Sequence, residues 1–507
     1  MQTIIFSDVL SPGYGKNAGA YRIATELRKH GYSCLVVDFF CHYTEQEITQ
    51  IIDKFVTSET IWVGFSTTFM IPTISENTKE QGNMFSHMWG STVTDYFSAY
   101  PAPPDKMKEL FKYIKGKSDK VQIVVGGARS HNAQNYDGFI RRVRPDFFVH
   151  GFADVSTIVL TKWLDNPLMY PEPNFNGRLK NVIDSTNDYD YEHYNQSSIR
   201  FTHEDLITPN EFLPIEIARG CIFKCKFCNF SLLGKKRGDY TRTKEVLVDE
   251  FLYNYETFGT TNYMFMDETT NDSMEKVEFL HDVTASLPFK IKWAGYSRLD
   301  LYANNPEMVP MIQETGISHT YFGIETFNKK SGEVVGKGMH PDKVKAALHN
   351  IRQVWKNNVK TSAGFIVGLP YDTPEDFVRL KQYLNSSECS LDAWVIHPLI
   401  LANGMPSMFG QDPGKYGYSF KEKESVLRWH RDNMNFDQAV EAATDIRDAT
   451  QHKCRINAWL HVRLQNLGYS KSFVDSLTVS GYGNKIEEIQ QQKMNRKEQY
   501  FKHLMVL

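Results

Sequence analysis

Short apolar runs alternate with longer amphipathic stretches along the first third of the chain. Thr3–Phe6, Cys34–Asp38, Ile61–Ser66, Gln122–Val125 and Phe147–His150 are apolar nearly throughout, the pattern of strands buried on both faces. Between the first two, Tyr21, Ile23, Ala24 and Leu27 recur at helical spacing from about Ala18 to His30, and Gly31 stops the helix. Strand–helix alternation of this kind predicts a doubly wound parallel sheet over residues 1–164. Such sheets bind ligands beyond the carboxyl ends of their strands. The loops there are Ser11–Gly15, Ser66–Thr68, Gly126-Gly127-Ala128 and Gly151-Phe152-Ala153-Asp154. Thr67 to Pro103 interrupts the alternation with an aromatic and methionine-rich insertion, read as packing over the sheet edge or covering a ligand.

Residues 165–211 are rich in Pro, Asn, Asp and Tyr without sustained periodicity, which marks an interdomain connection. A second alternation fills 212–402, with apolar runs at Leu213–Ala218, Tyr263–Met266, Ile291–Tyr296, Thr320–Ile324, Ser362–Val367 and Trp394–Ile400. Between them lie helical stripes such as Leu247, Phe251, Tyr255 and Phe258, and helix starts such as Asn305-Pro306 and Thr373-Pro-Glu-Asp. Repeated βα units predict a partial (β/α)6 barrel of TIM-like type, with its site at the carboxyl ends of the strands. Residues 403–507 are more polar and mainly helical in pattern, including Leu427-Arg-Trp-His, the Trp459 segment and the stretch from Asn484 to Leu507. This part is expected to close the open side of the barrel.

Directly after the first strand of the second alternation comes Cys221-Ile-Phe-Lys-Cys225-Lys-Phe-Cys228, a C-x3-C-x2-C loop. Three thiolates on one loop can bind three irons of a cubane and leave the fourth iron open to a small ligand and to one-electron chemistry. Structural zinc normally takes four ligands, and none of Cys34, Cys41, Cys389 and Cys454 forms a matching pair. Seven cysteines, an odd count, without a signal peptide argue against a disulfide framework. A complete ferredoxin-type set has four cysteines.

At this loop, with Phe227 as the aromatic of C-x3-C-x-aromatic-C, the chain resembles the radical S-adenosylmethionine (SAM) superfamily. The resemblance runs from about Pro214 to Leu401. It implies a [4Fe-4S] cluster on Cys221, Cys225 and Cys228, whose open iron chelates SAM, and reductive cleavage to a 5'-deoxyadenosyl radical that abstracts hydrogen from substrate. By the same resemblance, Met266-Asp267-Glu268 stands where the family meets the SAM amino group. Ser297 and Arg298 stand near the ribose or carboxylate, and Glu325 of Gly323-Ile-Glu-Thr near SAM. Phe227 and the Phe365-Ile-Val-Gly368-Leu-Pro segment stand beside adenine. The same acids also suit helix starts, Arg298 suits a salt bridge to Asp300 or Glu268, and Gly368 suits a turn. A carboxylate such as Glu325 at an apolar strand end needs a partner.

The glycines of the first part, Gly126 and Gly127 among them, resemble those of the Rossmann-type cobalamin-binding domain that precedes many radical SAM cores. Gly151-Phe-Ala-Asp is a weaker match to that family's last turn, and no D-x-H-x-x-G supplies a histidine beneath cobalt. The resemblance implies cobalamin and a reaction of the methyltransferase or magnesium-protoporphyrin cyclase class. A tRNA methylthiotransferase would need a second cysteine trio, and only Cys34 and Cys41 precede residue 221. A non-catalytic metal module is the remaining alternative.

Composition adds limits. With 41% hydrophobic and 23% charged residues and a net charge of −3, the chain is an ordinary globular sequence whose overall field attracts no polyanion. The Lys235-Lys236-Arg237 cluster reads as a solvated loop, so nucleic acid is not expected. No run reaches the ~20 apolar residues of a membrane span. The expected partners are a small-molecule substrate and an electron donor such as flavodoxin or ferredoxin, in a reducing cytoplasm.

Overall fold

The apolar runs pair as two separate parallel sheets. The computed structural model describes residues 1–8, 15–66, 104–127, 144–175, 181–184, 191–228, 240–404, 407–421 and 428–507. The insertion at 67–103, the Lys235–Arg237 cluster, and most of the Ser11–Gly15 and Ser66–Thr68 loops lie outside these residues. In the first sheet β1 (Thr3–Phe6), β2 (Cys34–Val37), β3 (Trp62–Ser66), β4 (Gln122–Gly126), β5 (Phe147–His150) and β6 (Val182–Asp184) run in the order β2-β1-β3-β4-β5-β6.

Alternate residues of these strands enter two cores, as the period of two requires. Ile5, Val36 and Val124 pack with Tyr21, Ala24 and Leu27 of the helix Ala18–Lys29. Ile4, Phe6, Leu35 and Phe65 pack with Ile48, Ile51 and Phe55 of the helix Glu45–Phe55 on the opposite face. Helices on both faces explain why the strands are apolar on both sides. The strand order reverses between β1 and β3, which places the ligand crevice at their carboxyl ends. β6 comes from the stretch read as a connection. It is three residues long, too short to show periodicity, yet it pairs with β5 in parallel.

The second sheet follows chain order, β12-β11-β10-β9-β8-β7. Its strands are β7 (Leu213–Ile215), β8 (Asn262–Phe265), β9 (Lys292–Ser297), β10 (Ile317–Glu325), β11 (Lys360–Val367) and β12 (Ala393–Pro398). Every neighbouring pair is parallel. Sequential parallel order with helical crossovers is the geometry of an open barrel. Phe322 of β10 packs outward on Tyr302 and Trp355 of the crossover helices. The alternate residues face inward, where the helix Ala458–Asn466 lies against β9, β10 and β11.

Among the described residues, the C-terminal part departs from the helical expectation around Trp429. Trp429, expected in a helix, sits in β14 (Trp429–Arg431) between β13 (Ser419–Phe420) and β15 (Met434–Asn435). Its indole donates to the Leu399 carbonyl at 2.9 Å and covers Gly368, so tertiary packing sets the local conformation. The last helix, Ile486–Val506, returns to the first sheet. There Tyr500 donates to the Val36 carbonyl at 3.2 Å and Lys497 pairs with Glu47 at 2.7 Å.

Gly316 turns the chain from the helix Met308–Glu314 into β10 with φ at +92°, and a Cβ there would lie 2.1 Å from the Ile291 carbonyl oxygen. Gly316→Ala is therefore expected to destabilise the barrel by about 2–4 kcal/mol, from backbone strain and overpacking together. Urea denaturation followed by tryptophan fluorescence checks this, and an unshifted midpoint would contradict it.

Candidate active site

The cysteine loop is rooted by a carboxylate whose sequence position suggests a ligand contact. Asp267, 1% exposed just beyond β8, accepts from the backbone amides of Ile217 at 2.9 Å and Ala218 at 2.8 Å. Lys276 neutralises it at 2.9 Å. Both carboxylate oxygens are thus engaged with the segment leaving β7, which places Asp267 as an anchor of the loop. Residues 240–242, bridged to the loop's root at Ala218 and Thr241, close it. Arg219 donates its amide to the Tyr240 carbonyl at 3.0 Å, and Arg242 donates to the Ile217 carbonyl at 2.9 Å. Farther along, the Lys226 amide donates to the Val335 carbonyl at 3.2 Å, and the Lys226 carbonyl accepts from the Phe409 amide at 3.0 Å.

Cys221, Cys225 and Cys228 are half-buried free thiols. Cys221 Sγ lies 3.5 Å from Thr269 Oγ1. Cys225 Sγ receives Arg298 Nη1 at 3.4 Å. Burial pushes the Cys225 thiol up, while the Lys337 and Arg298 cations pull it down. Among the described residues these sulfurs do not all gather within 4.8 Å of one another. A single tetrahedral zinc, with Zn–S of ~2.3 Å, would draw them to about 3.8 Å apart. Thiols spread around one loop beside two cations fit a larger anionic cluster better than one ion.

Around the loop, Arg298 makes its bidentate contact to Asp300, at 3.0 and 2.6 Å, and stacks 3.9 Å from the Phe223 ring centroid. Its backbone is clamped by Asn271, which accepts from the Arg298 amide at 2.8 Å and donates to its carbonyl at 3.0 Å. Ser297 is buried, with Thr270 and Thr320 hydroxyls each 3.0 Å from its Oγ. Glu325 finds the partner its position demanded: Lys337 pairs with it at 2.6 Å and also donates to the Gly323 carbonyl at 2.8 Å. Glu325 sits at φ +71°, and the Lys337 ammonium lies 6.0 Å from the Phe227 ring. Glu268 is half-buried beside Thr269.

Gly368 is a turn residue in this arrangement. At φ +99°, its amide donates to Asp372 at 3.1 Å, its carbonyl accepts from Tyr418 at 2.8 Å, and Trp429 fills the space of a Cβ. The structure therefore gathers Phe227, Glu268, Ser297, Arg298 and Glu325 with the cysteines at the carboxyl ends of β7 to β10. Gly126 and Gly127 lie at the end of β4 in the other sheet, with Gly127 at φ +126°.

The two sheets meet through charges that sequence reasoning missed. Glu216, between β7 and the cysteine loop, pairs with Arg22 of the helix Ala18–Lys29 at 2.8 Å and with Arg219 at 2.8 Å. Arg219 also pairs with Asp154, in the turn after β5, at 2.6 Å, and stacks 4.4 Å from the rings of Phe152 and Tyr194. Arg242 donates to the Glu216 carbonyl at 2.9 Å and pairs with buried Glu250. Burial alone would raise the Glu216 pKa, but Arg219, Arg22 and Arg242 bring it down to about 2. A sequence signal was present: Glu216 and Arg219 bracket an apolar pair just before Cys221, and buried charges must be matched. Lys337, twelve residues beyond Glu325, carried no such signal.

The radical SAM superfamily model matches residues 215–384. Residues 215–384 are a radical SAM domain. An uncharacterized methyltransferase of Pyrococcus horikoshii is 27% identical over 164 residues, 31% of this chain and 33% of that protein. The anaerobic magnesium-protoporphyrin IX monomethyl ester cyclase of Cereibacter sphaeroides is 29% identical over 265 residues, 52% of this chain and 38% of that one. The chain thus spans about a third of the length of these curated relatives, 33% of one and 38% of the other. A structure of the radical SAM methyltransferase TsrM from Kitasatospora setae, with cobalamin and a [4Fe-4S] cluster bound, aligns at TM-score 0.60 and 12% identity. It covers 98% of this chain and 99% of that one, so the fold correspondence includes the Rossmann-like sheet ahead of the radical SAM barrel.

The Glu216 pKa gives the sign of an acid effect. A carboxylate depressed in the folded state contributes stability that is full above its unfolded value of ~4.3 and is lost as pH falls through about 2. The parent is expected to lose on the order of 3 kcal/mol across that window. Glu216→Gln should flatten this part of the profile and lower stability at neutral pH. Denaturation midpoints between pH 5 and pH 2 check it, and equal slopes for both proteins would contradict it.

Proposed function

We propose that this protein is a cobalamin-dependent radical SAM enzyme that methylates an unactivated carbon of a small-molecule substrate. The observation that carries the reading is the ion junction. It sets the Gly151–Asp154 turn of the first sheet, through Arg219 on Phe152 and Asp154, against the root of the cysteine loop. A ligand at the carboxyl edge of the first sheet and one at the mouth of the barrel would then face each other. The cobalamin and [4Fe-4S] cluster held by TsrM, and the methyltransferase among the relatives, support two bound cofactors and methyl transfer.

In this reading Cys221, Cys225 and Cys228 hold the cluster, while Glu268, Ser297 and Glu325 line the SAM side, with Phe227 against adenine. Gly126 and Gly127 let backbone approach the corrinoid. When bound, the cluster and SAM supply one-electron chemistry at a C–H bond, and cobalamin a transferable methyl group. The chain's own contribution is placement. Arg298 and Lys337 put positive charge beside the thiolates, Asp267 fixes the loop's exit from β7, and Asn271 fixes the backbone of Arg298. Residues 1–164 serve as the corrinoid domain, 165–211 as a connection that lends β6, 212–402 as the catalytic core and 403–507 as its closure. Among the described residues no helix is long and apolar enough to cross a membrane. An external one-electron donor of the flavodoxin or ferredoxin class and a reducing cytoplasm complete the proposal.

A ring-forming reaction without methyl transfer is the second reading, favoured by the longer match to the cyclase. A methylthiotransferase is disfavoured, since Cys34 is buried in β2 with its thiol pushed up to about 12 by burial. The reading is tested with anaerobically reconstituted protein, SAM and dithionite. Expected are about four irons per chain, release of 5'-deoxyadenosine, and a corrinoid band that survives gel filtration. Cys225→Ala should reduce nucleoside release to background. Release unchanged in that variant would refute the radical SAM assignment of the cysteines, whereas loss of the corrinoid band alone would refute only the cobalamin part.

A further inference from the structure

At the end of the barrel opposite the cysteine loop, a second group of metal-ligating side chains is buried. His319 faces inward near the start of β10, six residues before Glu325 and thus about 20 Å from the mouth. His461 stands on the helix Ala458–Asn466 that fills the barrel interior, and Asp475 on the short helix after it. The two imidazoles are 1% and 3% exposed and their centroids lie 3.9 Å apart. One donor atom from each of the three residues lies within 4.8 Å of the others.

Hydrogen bonding settles the tautomer of His319. The Ser318 hydroxyl has one proton and donates it to the Trp293 carbonyl at 2.9 Å, so its oxygen accepts from His319 Nδ1–H, also at 2.9 Å. The lone pair is left on Nε2. That atom is buried and has no hydrogen-bond partner among the described residues. An imidazole nitrogen stripped of water, on a ring whose centroid lies 3.9 Å from a second imidazole, is a donor without an acceptor for its electron pair. Ser318 is the outer hydrogen-bond partner that ligand histidines normally have.

His461 has a comparable partner. Its Nδ1 lies 2.9 Å from the Gln465 amide and its Nε2 2.7 Å from Asp475 Oδ1. A half-turn of the Gln465 amide presents its oxygen to Nδ1–H and frees Nε2 for a metal; the proton moves from one ring nitrogen to the other and none is released. The second oxygen of Asp475 is held by Lys471 at 2.5 Å, which orients Oδ1 toward the histidines. Burial, and the nearby cations Lys471 and Lys360, hold both histidines well below their usual pKa, in the neutral form that binds metal.

We infer that His319, His461 and Asp475 form a zinc(II) site that ties the interior helix and the segment after it to β10. Two imidazole nitrogens and one carboxylate oxygen suit zinc or a similar first-row divalent ion and leave one position for water. Its distance from the thiol loop makes it a structural clamp on the floor of the barrel, independent of the cluster chemistry.

The test uses the full chain carrying Cys221→Ala, Cys225→Ala and Cys228→Ala, so that no thiol of the loop competes and the result does not depend on the cluster. Titration with zinc against a chromophoric chelator is expected to give about one ion per chain and a raised melting temperature. Cobalt(II) in place of zinc should show the strong visible bands of a four-coordinate ion. His319→Ala added to this background should abolish all three signals. Asp475→Asn, which keeps a hydrogen-bond partner for His461 and so spares folding, should weaken zinc binding at least about tenfold. No stoichiometric zinc in the cysteine-free chain, or equal zinc binding with and without His319 and Asp475, would overturn the inference.

Discussion

The arrangement of the two sheets depends on a half-buried carboxylate held among buried arginines. Glu216 is surrounded by Arg22 from the first sheet's leading helix, by Arg219 three residues on, and by Arg242 from the short segment ahead of the helix Lys244–Phe258. Asp154 supplies the second negative charge. Desolvating such ions costs several kcal/mol each, and their mutual attraction offsets this only when every partner is in place. Against a wholly apolar replacement the junction adds little, but loss of any one member, Glu216 included, strands the others, so it is a strict source of geometry. Any displacement of the first sheet relative to β7 leaves a charge without its counter-ion.

From that junction the site can be followed outward. The same segment that carries Glu216 and Arg219 enters the cysteine loop, and its amides are fixed by Asp267. Asp267 belongs to the loop after β8, in which Thr270 and Asn271 fix the backbone and side chains at the end of β9. Arg298 follows there and reaches Cys225. A chain of buried hydrogen bonds thus runs from the interface, through three strand ends, back to the thiols. Satisfied networks of this kind rigidify a site, and each member removed exposes the others to the full penalty of an unpaired buried group.

Much of this was legible beforehand. Continuous apolar runs marked both sheets because parallel strands covered on two faces leave no polar alternation to hide them. The cysteine spacing marked the thiol loop, and the apolar end of β10 made a partner for Glu325 necessary, though not its identity. What the sequence did not reveal depends on contacts between distant segments. Lys337 reaches Glu325 only because Gly332 and Gly336 bring the chain back over the loop. Trp429 adopts a strand because Gly368 leaves room for its ring. Asp267 resembles a ligand contact by position and serves as a backbone anchor, a distinction that rests on two amide directions. β6 is too short to carry a pattern at all.

The central claim is that one set of buried ions positions both the turn after β5 and the cysteine loop. Hydrogen–deuterium exchange on the full chain, with and without Arg219→Met, tests it most directly. The account predicts faster exchange in the variant at both 151–156 and 217–228, with the rest of the two sheets unchanged. Faster exchange at the cysteine loop alone, with 151–156 as protected as in the parent, would contradict it.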